Sequence, residues 1–245
     1  MPARHPLHRT RPRAVLLPGL ACDASLWAAQ ASALREDGWS AEVSDAHGRA
    51  DSVEAMAQLV LEEHPGPLLL AGASMGGMVA LHAALQAPAR VAGLVLVGSS
   101  ARADTEEVKR LRADAIDHFE HGDVEPFLRV NAPLALHPRR ARDAALIERY
   151  LAMVLRGGVA SLIAQNRAVM RRPDLRPRLP EVACPALVLV GEADSLTPPE
   201  HAQELAAGLP QAELDVIEGA GHLPTLETPE AVSTRLRAWL AARGW

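Results

Sequence analysis

Short apolar runs recur along this chain, unbroken in four places and interrupted by polar residues at 40–45 and 212–219: "AVLLPG" (14–19), "SAEVSD" (40–45), "PLLLAG" (67–72), "VAGLVLVG" (91–98), "PALVLVG" (185–191) and "AELDVIEG" (212–219). A strand with one wet face alternates apolar and polar residues, whereas a continuous run requires burial on both faces. Strands buried on both faces belong to a parallel sheet with helices above and below it, since each parallel connection is long enough to hold a helix. The segments between the runs carry helix signals, so strand and helix alternate and the class is α/β.

Those signals are specific. Asp51 and Glu54 form a capping-box pattern ahead of Val53, Met56 and Val60, which recur at helical spacing. Thr197 precedes Pro198, Pro199 and Glu200, a cap followed by proline in the first turn, and Gly208 marks the stop. Thr228, Pro229 and Glu230 repeat the device before the stripe Val232, Leu236, Trp239 and Leu240. Between Ser99 and about Leu179 the alternation ceases. Asp104 and Glu107 open a helix with the apolar face Val108, Leu111, Ile116 and Phe119, and helical stretches follow at about 139–155 and 158–171. Residues 1–100 and 181–245 therefore form two parts of one core, and 101–180 a helical lid inserted between two buried strands. The first run begins at Ala14, which leaves too little chain for an opening hairpin, so about six parallel strands are expected.

A chain of 245 residues supports one sizeable core. With 49% hydrophobic residues, 22% charged residues and a net charge of -5, it is neither disordered nor suited to nucleic acid. Arg4, Arg9, Arg11 and Arg13 ahead of an apolar run imitate an export signal, but Pro18 and Gly19 cut that run too short. No stretch approaches the ~20 apolar residues of a membrane helix, so neither membrane nor nucleic acid is expected as a partner and the cytoplasm is the expected compartment. Cys22 and Cys184 lie far apart with no CxxC or Cys/His pairing, which argues for reduced thiols rather than zinc or a disulfide. "HPLH" (5–8) has ligand-like spacing without an acidic partner, and no metal is expected.

"GASMG" (72–76) fits G-x-S-x-G, with a buried strand entering it and a helix with Met78, Leu81 and Leu85 in phase leaving it. That setting is a nucleophile elbow, where a sharp turn exposes the hydroxyl of Ser74. A neutral serine hydroxyl needs a base and a group to hold that base. Asp194, in the loop after "VLVG", and His222, in "IEGAGHLP", supply them in the order serine, acid, histidine. In a parallel sheet those loops open on one edge, so the three converge. Glu192 and Glu218 are rival acids. Gly19 bends the loop after the first strand so that the Leu20 amide faces inward beside that of Met75, two donors for an oxyanion.

"LLPGL", "GASMGGMVAL", "LVLVGEAD", "TPPE" and "IEGAGHLPTLETPEAV" together resemble the α/β-hydrolase superfamily from about residue 14 to 243. The likeness is to small carboxylesterases, 3-oxoadipate enol-lactonases and pimeloyl-ester esterases. Pro18-Gly19 stands where such proteins often have His-Gly, and "DAHGRADS" (45–52) where they usually have GxGxS. The resemblance implies a cofactor-independent serine esterase acting on a small-molecule carboxylic ester of small or medium acyl chain, with water as co-substrate. A lactonase, thioesterase, acyltransferase or perhydrolase would use the same triad, and a ligand-sensing binding protein would keep the pocket. Leu20, Met75, Phe119, Phe127 and Leu223 are the candidate substrate contacts. Phe119, Phe127 and neighbours such as Leu134, Leu155 and Leu162 either line an acyl pocket or form the lid's own core. His47, His64, His82, His118, His121 and His137 read as surface, lid or packing residues, Arg139, Arg140 and Arg142 as a solvated face, and Cys22 as a small buried hydrophobe.

Overall fold

The computed structural model describes residues 11–245; the "HPLH" histidines lie outside them. Six strands form one sheet: β1 (Arg13–Leu17), β2 (Ala41–Val43), β3 (Leu68–Ala73), β4 (Val91–Val97), β5 (Ala186–Gly191) and β6 (Ala212–Ile217). Their spatial order is β2-β1-β3-β4-β5-β6 and every pairing is parallel. The continuous apolar runs fill two cores at once. Val15, Leu17, Leu70, Leu94, Leu96, Val188 and Val190 face one side of the sheet, while Ala14, Leu16, Leu69, Val95, Val97, Leu187 and Leu189 face the other.

Helices cover both faces. α1 (Ala28–Glu36) lies on one, while α2 (Val53–Glu63) and α3 (Met75–Gln86) lie on the other. The helical insertion follows β4, as α4 (Glu106–Glu120), α5 (Val124–Asn131), α6 (Ala144–Arg156) and α7 (Val159–Arg171). After β5 come α8 (Pro199–Gly208), the single turn α9 (Pro224–Glu227) and α10 (Pro229–Ala241), which packs beside α1. The chain runs from β1 outward to β2 and back across to β3, so the loops after β1 and β3 part there. Ligand crevices form at such a switch point. The register Leu17↔Gly72 brings the loop after β1 level with the "GASMG" turn.

The insertion has its own core, in which Phe119, Val124, Leu128, Leu151, Val154 and Leu162 pack with Ala21 of the β1 loop. Its two ends are clasped: Asp104 meets Arg172 and Arg112, each at 2.8 Å, and the Leu175 amide donates to Ala101 O at 2.8 Å.

Several local expectations change. Ser52, not Asp51, caps α2 by accepting the Ala55 amide, because its extended backbone sits one residue before the first turn. Thr105 caps α4, leaving Asp104 to the arginines. Thr197 and Thr228 make no side-chain cap: the first hydroxyl donates to Asp194 and the second to Pro224 O. Leu111 points to solvent at 62% exposure, so the α4 apolar face is narrower than its spacing suggests. The short α5 lies outside the helical stretches that the sequence marks, and α6 starts at Ala144 rather than near 139. His64 and His137 are buried, not superficial, each beside a carboxylate, Glu42 and Glu192, while His82 is buried as its packing role requires, with Glu54 at 3.7 Å. Among the described residues no helix is long and apolar enough to cross a membrane.

Trp27, with no exposed surface, donates its indole N–H to Leu17 O at 3.0 Å and so pins the end of β1. Trp27→Phe keeps an aromatic body but strands that carbonyl. We expect a loss of about 1–3 kcal/mol, read as a lower urea midpoint at unchanged slope.

Candidate active site

The turn between β3 and α3 is tighter than side chains allow. Ser74 has φ 51° and ψ -116°, one of two non-glycine residues with positive φ among the described residues. Such a backbone persists only where its surroundings over-determine it. A Cβ on Gly72 would lie 2.2 Å from Gly76 O, and one on Gly76 would lie 2.0 Å from Leu17 O. The Ser74 amide donates to Val97 O at 2.8 Å, and its carbonyl accepts the Gly77 amide at 3.0 Å and the Ser99 hydroxyl at 2.8 Å. Ser99 was not singled out in the sequence.

His222, in the loop after β6, brings Nε2 to 3.0 Å from Ser74 Oγ. Its Nδ1 stands 2.9 and 3.0 Å from the two oxygens of Asp194, in the loop after β5. Asp194 also accepts the Leu196 amide, the Thr197 amide and the Thr197 hydroxyl, all at 2.9 Å. Burial pushes this carboxyl up, but the charge and hydrogen bond of His222 and the two bonds from Thr197 outweigh it and hold it below the usual carboxylate range. Of the rival acids, Glu192 is occupied by the Gly219 amide and His137, and Glu218 is exposed just past β6.

The loop after β1 lies against the turn: a Cβ on Gly19 would be 3.4 Å from Ser74 Cβ. Among the described residues neither the Leu20 nor the Met75 amide donates to a protein acceptor, Met75 being the first residue of α3. Ala21, the second positive-φ residue (58°), donates its amide to Gln165 Oε1 at 2.6 Å, and His47 Nε2 donates to Cys22 O at 2.8 Å. Burial, with the Asp23 charge, pushes the Cys22 thiol up to about 12, so it remains a neutral packing group.

Phe119 is buried in the insertion core with Phe127 edge-on against it at 5.4 Å, and Leu223 is buried beside His222. None of the three lines the cavity of about 280 Å³ between the β1 loop, His47, Arg49 and the α6–α7 turn, which Ser161, Leu162 and Gln165 close. Among the described residues no three His, Cys, Asp or Glu side chains are grouped to hold a metal.

Residues 9–229 match the family model described as Serine aminopeptidase, S33. The chain belongs to that family of α/β hydrolases. It is 34% identical over 196 residues to the pimeloyl-[acyl-carrier protein] methyl ester esterase of Serratia marcescens, covering 78% of this chain and 77% of the relative. The enzyme of the same name from Photobacterium profundum is 33% identical, covering 78% and 77%. Among solved structures, a thermophilic esterase from Thermogutta terrifontis superposes with a TM-score of 0.83 at 30% identity, covering 95% of this chain and 90% of that one. The enol-lactonase from Burkholderia xenovorans LB400 shares the fold, with a TM-score of 0.83 at 22% identity and coverage of 96% and 94%.

This esterase-type α/β hydrolase also uses polar residues that the motifs do not announce. Glu227, 2% exposed, accepts the Gly221 amide at 2.8 Å, the Leu223 amide at 3.3 Å and the His137 amide at 2.7 Å, binding the His222 loop to the insertion. Its only signal in the sequence was an acid five residues beyond His222. Asp194 carries a pH signature. A carboxyl held below its unfolded value of about 3.9 stabilises the fold above that pH, and the contribution is lost as pH falls through the folded value. The stability gap between the parent and Asp194→Asn is therefore expected to be full at neutral pH and to shrink as the pH falls below the unfolded carboxylate value of about 3.9, measured by urea unfolding from neutral to acid pH.

Proposed function

We propose that Ser74, His222 and Asp194 act as a catalytic triad that hydrolyses a carboxylic ester through an acyl-enzyme. The observation that carries this reading is the unbroken line from Ser74 Oγ through both ring nitrogens of His222 to Asp194, at 3.0 and 2.9 Å. In the first half-reaction Ser74 Oγ forms a bond to the ester carbonyl carbon while His222 Nε2 takes its proton. The carbonyl oxygen becomes an oxyanion that the Leu20 and Met75 amides stabilise. Collapse breaks the bond to the alkoxy oxygen, which leaves as an alcohol with the proton from His222. Water then gives a proton to His222 and attacks the acyl carbon, and a second collapse breaks the bond from that carbon to Ser74 Oγ, which takes the proton from His222 as the acid is released. Asp194, kept ionised, orients the imidazole and stabilises its charged form.

The helical insertion serves in this reading as a cap over the site, with Leu20 and Met75 as the candidate substrate contacts, Phe119 and Phe127 being taken up by the insertion's own core. The named activity of the relatives favours a small alcohol such as methanol and an acyl chain of medium length. A cytoplasmic location belongs to the same reading, supported by two free cysteines, one buried and one half-buried.

Hydrolysis of aryl and methyl esters of rising acyl length, with a lactone and a thioester included, tests the class. We expect turnover of esters with an optimum at small or medium acyl length, labelling by a fluorophosphonate probe, and loss of both in Ser74→Ala; near-background rates across the series would sink the reading. Asp194→Asn is expected to lower kcat by about 10⁴-fold, since the amide selects the wrong tautomer of His222.

A further inference from the structure

Residues 19–22 form a turn closed by the Cys22 amide on Gly19 O at 3.1 Å. Gly19 C=O and Leu20 N–H belong to one trans peptide and point in opposite directions. The turn that ties down that carbonyl thus aims the Leu20 amide away from it. Ala21 occupies the third position of the turn at φ 58°, a place where turns of positive φ ordinarily carry glycine. An alanine there needs something outside the turn to hold it.

Gln165 of α7 is that group. It is 2% exposed, and its Oε1 accepts the Ala21 amide at 2.6 Å. Its Nε2 donates to Ser161 Oγ at 2.8 Å, one helical turn earlier, which fixes the amide so that the oxygen faces Ala21. The amide end is therefore not free to flip and present a second donor to the Ala21 N–H. Gln165 is 144 residues from Ala21 in sequence and lies on the insertion, not on the sheet. One residue further along the same loop, His47 holds Cys22 O at 2.8 Å. Leu20 lies between the Gly19 contact with Ser74 and this pair of fastenings.

We propose that Gln165 is a positioning residue for the Leu20 amide, so that the helical insertion sets the geometry of one oxyanion donor by accepting the Ala21 N–H. The inference rests on the reading of Leu20 as an oxyanion donor. Gln165 touches no reacting atom in it. Its effect falls on the tetrahedral species rather than on the bound ester, because only the developing oxyanion engages that amide.

The test uses the full chain and two variants. Gln165→Met keeps the length and volume but accepts nothing, and Gln165→Asn keeps the amide one methylene short of Ala21. Thermal melting establishes which of them fold, and either one decides the question. Three quantities are measured: kcat, KM for an aryl ester, and Ki for a trifluoromethyl ketone of matching acyl chain, whose hemiketal with Ser74 carries an oxyanion. Outright removal of an oxyanion donor costs about 10²–10³-fold in kcat, so a misplaced donor is expected to cost roughly 10-fold or more. KM should stay within about twofold, and Ki should weaken by the same factor as kcat/KM. A folded variant with kcat and Ki within about twofold of the parent overturns the proposal. So does a loss shared equally by KM and Ki. Absence of both hydrolysis and fluorophosphonate labelling in the parent protein would instead defeat the triad reading, and this one with it. If the parent is active and Ser74→Ala is not, the Gln165 variants alone decide.

Discussion

The backbone of α3 meets the end of β1 with no room for a side chain between them, and the geometry of the site follows from that contact. Gly76 sits where a Cβ would be 2.0 Å from Leu17 O, and Gly72 where one would be 2.2 Å from Gly76 O. Helix and strand can approach this closely only through glycine. The approach forces the chain at Ser74 into a positive φ, which lifts its hydroxyl above the sheet edge and leaves the first amide of α3 beside it. It also fixes how far the loop after β1 lies from Ser74. The Trp27 indole on Leu17 O holds the strand side of the same junction.

Around this junction the supports come from three directions. Asp194 is held by the end of its own loop, through the Leu196 and Thr197 amides just ahead of α8. The His222 loop is held by Glu227, whose carboxylate gathers three amides, and by the bond from the His222 amide to Ala135 O at 2.9 Å. The β1 loop is held by Gln165 and His47. Two of these supports, at Ala135–His137 and at Gln165, come from the insertion. The insertion is therefore part of the frame that holds the loops around Ser74. Its clasped ends, where Asp104 meets Arg172, transmit that placement to the sheet.

The sheet was legible because its central strands β1, β3, β4 and β5 are buried on both faces, and a run such as "GLVLVG" has no other comfortable environment in water; the edge strands β2 and β6 are only partly buried. The elbow was legible because close backbone approach leaves glycines at fixed spacing. The parts that were not legible are those where one polar side chain had several local uses. Thr197 has the residue type and position of a helix cap, yet its hydroxyl serves Asp194. Asp51 and Ser52 compete for one cap, and the backbone at Ser52 decides. His64, His82 and His137 carry no spacing signal that separates a buried histidine beside a carboxylate from an exposed one. Gln165 is hardest, because its partner is a backbone amide, which leaves no trace in the side-chain pattern. The one hint is that Gln165 and Asn166 interrupt an otherwise apolar buried face with Leu162, Ala168 and Val169.

Folded chains rarely leave backbone donors without partners, and those that remain call for a reason. Every polar side chain of the Ser74–His222–Asp194 line has a partner, and so do the amides of Ala21, Cys22, Ser74 and His222. The amides of Leu20 and Met75 stand apart from this pattern, each without a protein acceptor and both beside Ser74. For Met75 this follows from its place as the first residue of α3, where the amide has no intrahelical acceptor, whereas Leu20 lies in the loop after β1. In the proposed triad reading the two amides are matched to an oxygen that bears full charge only while Ser74 is bonded to a carbonyl carbon.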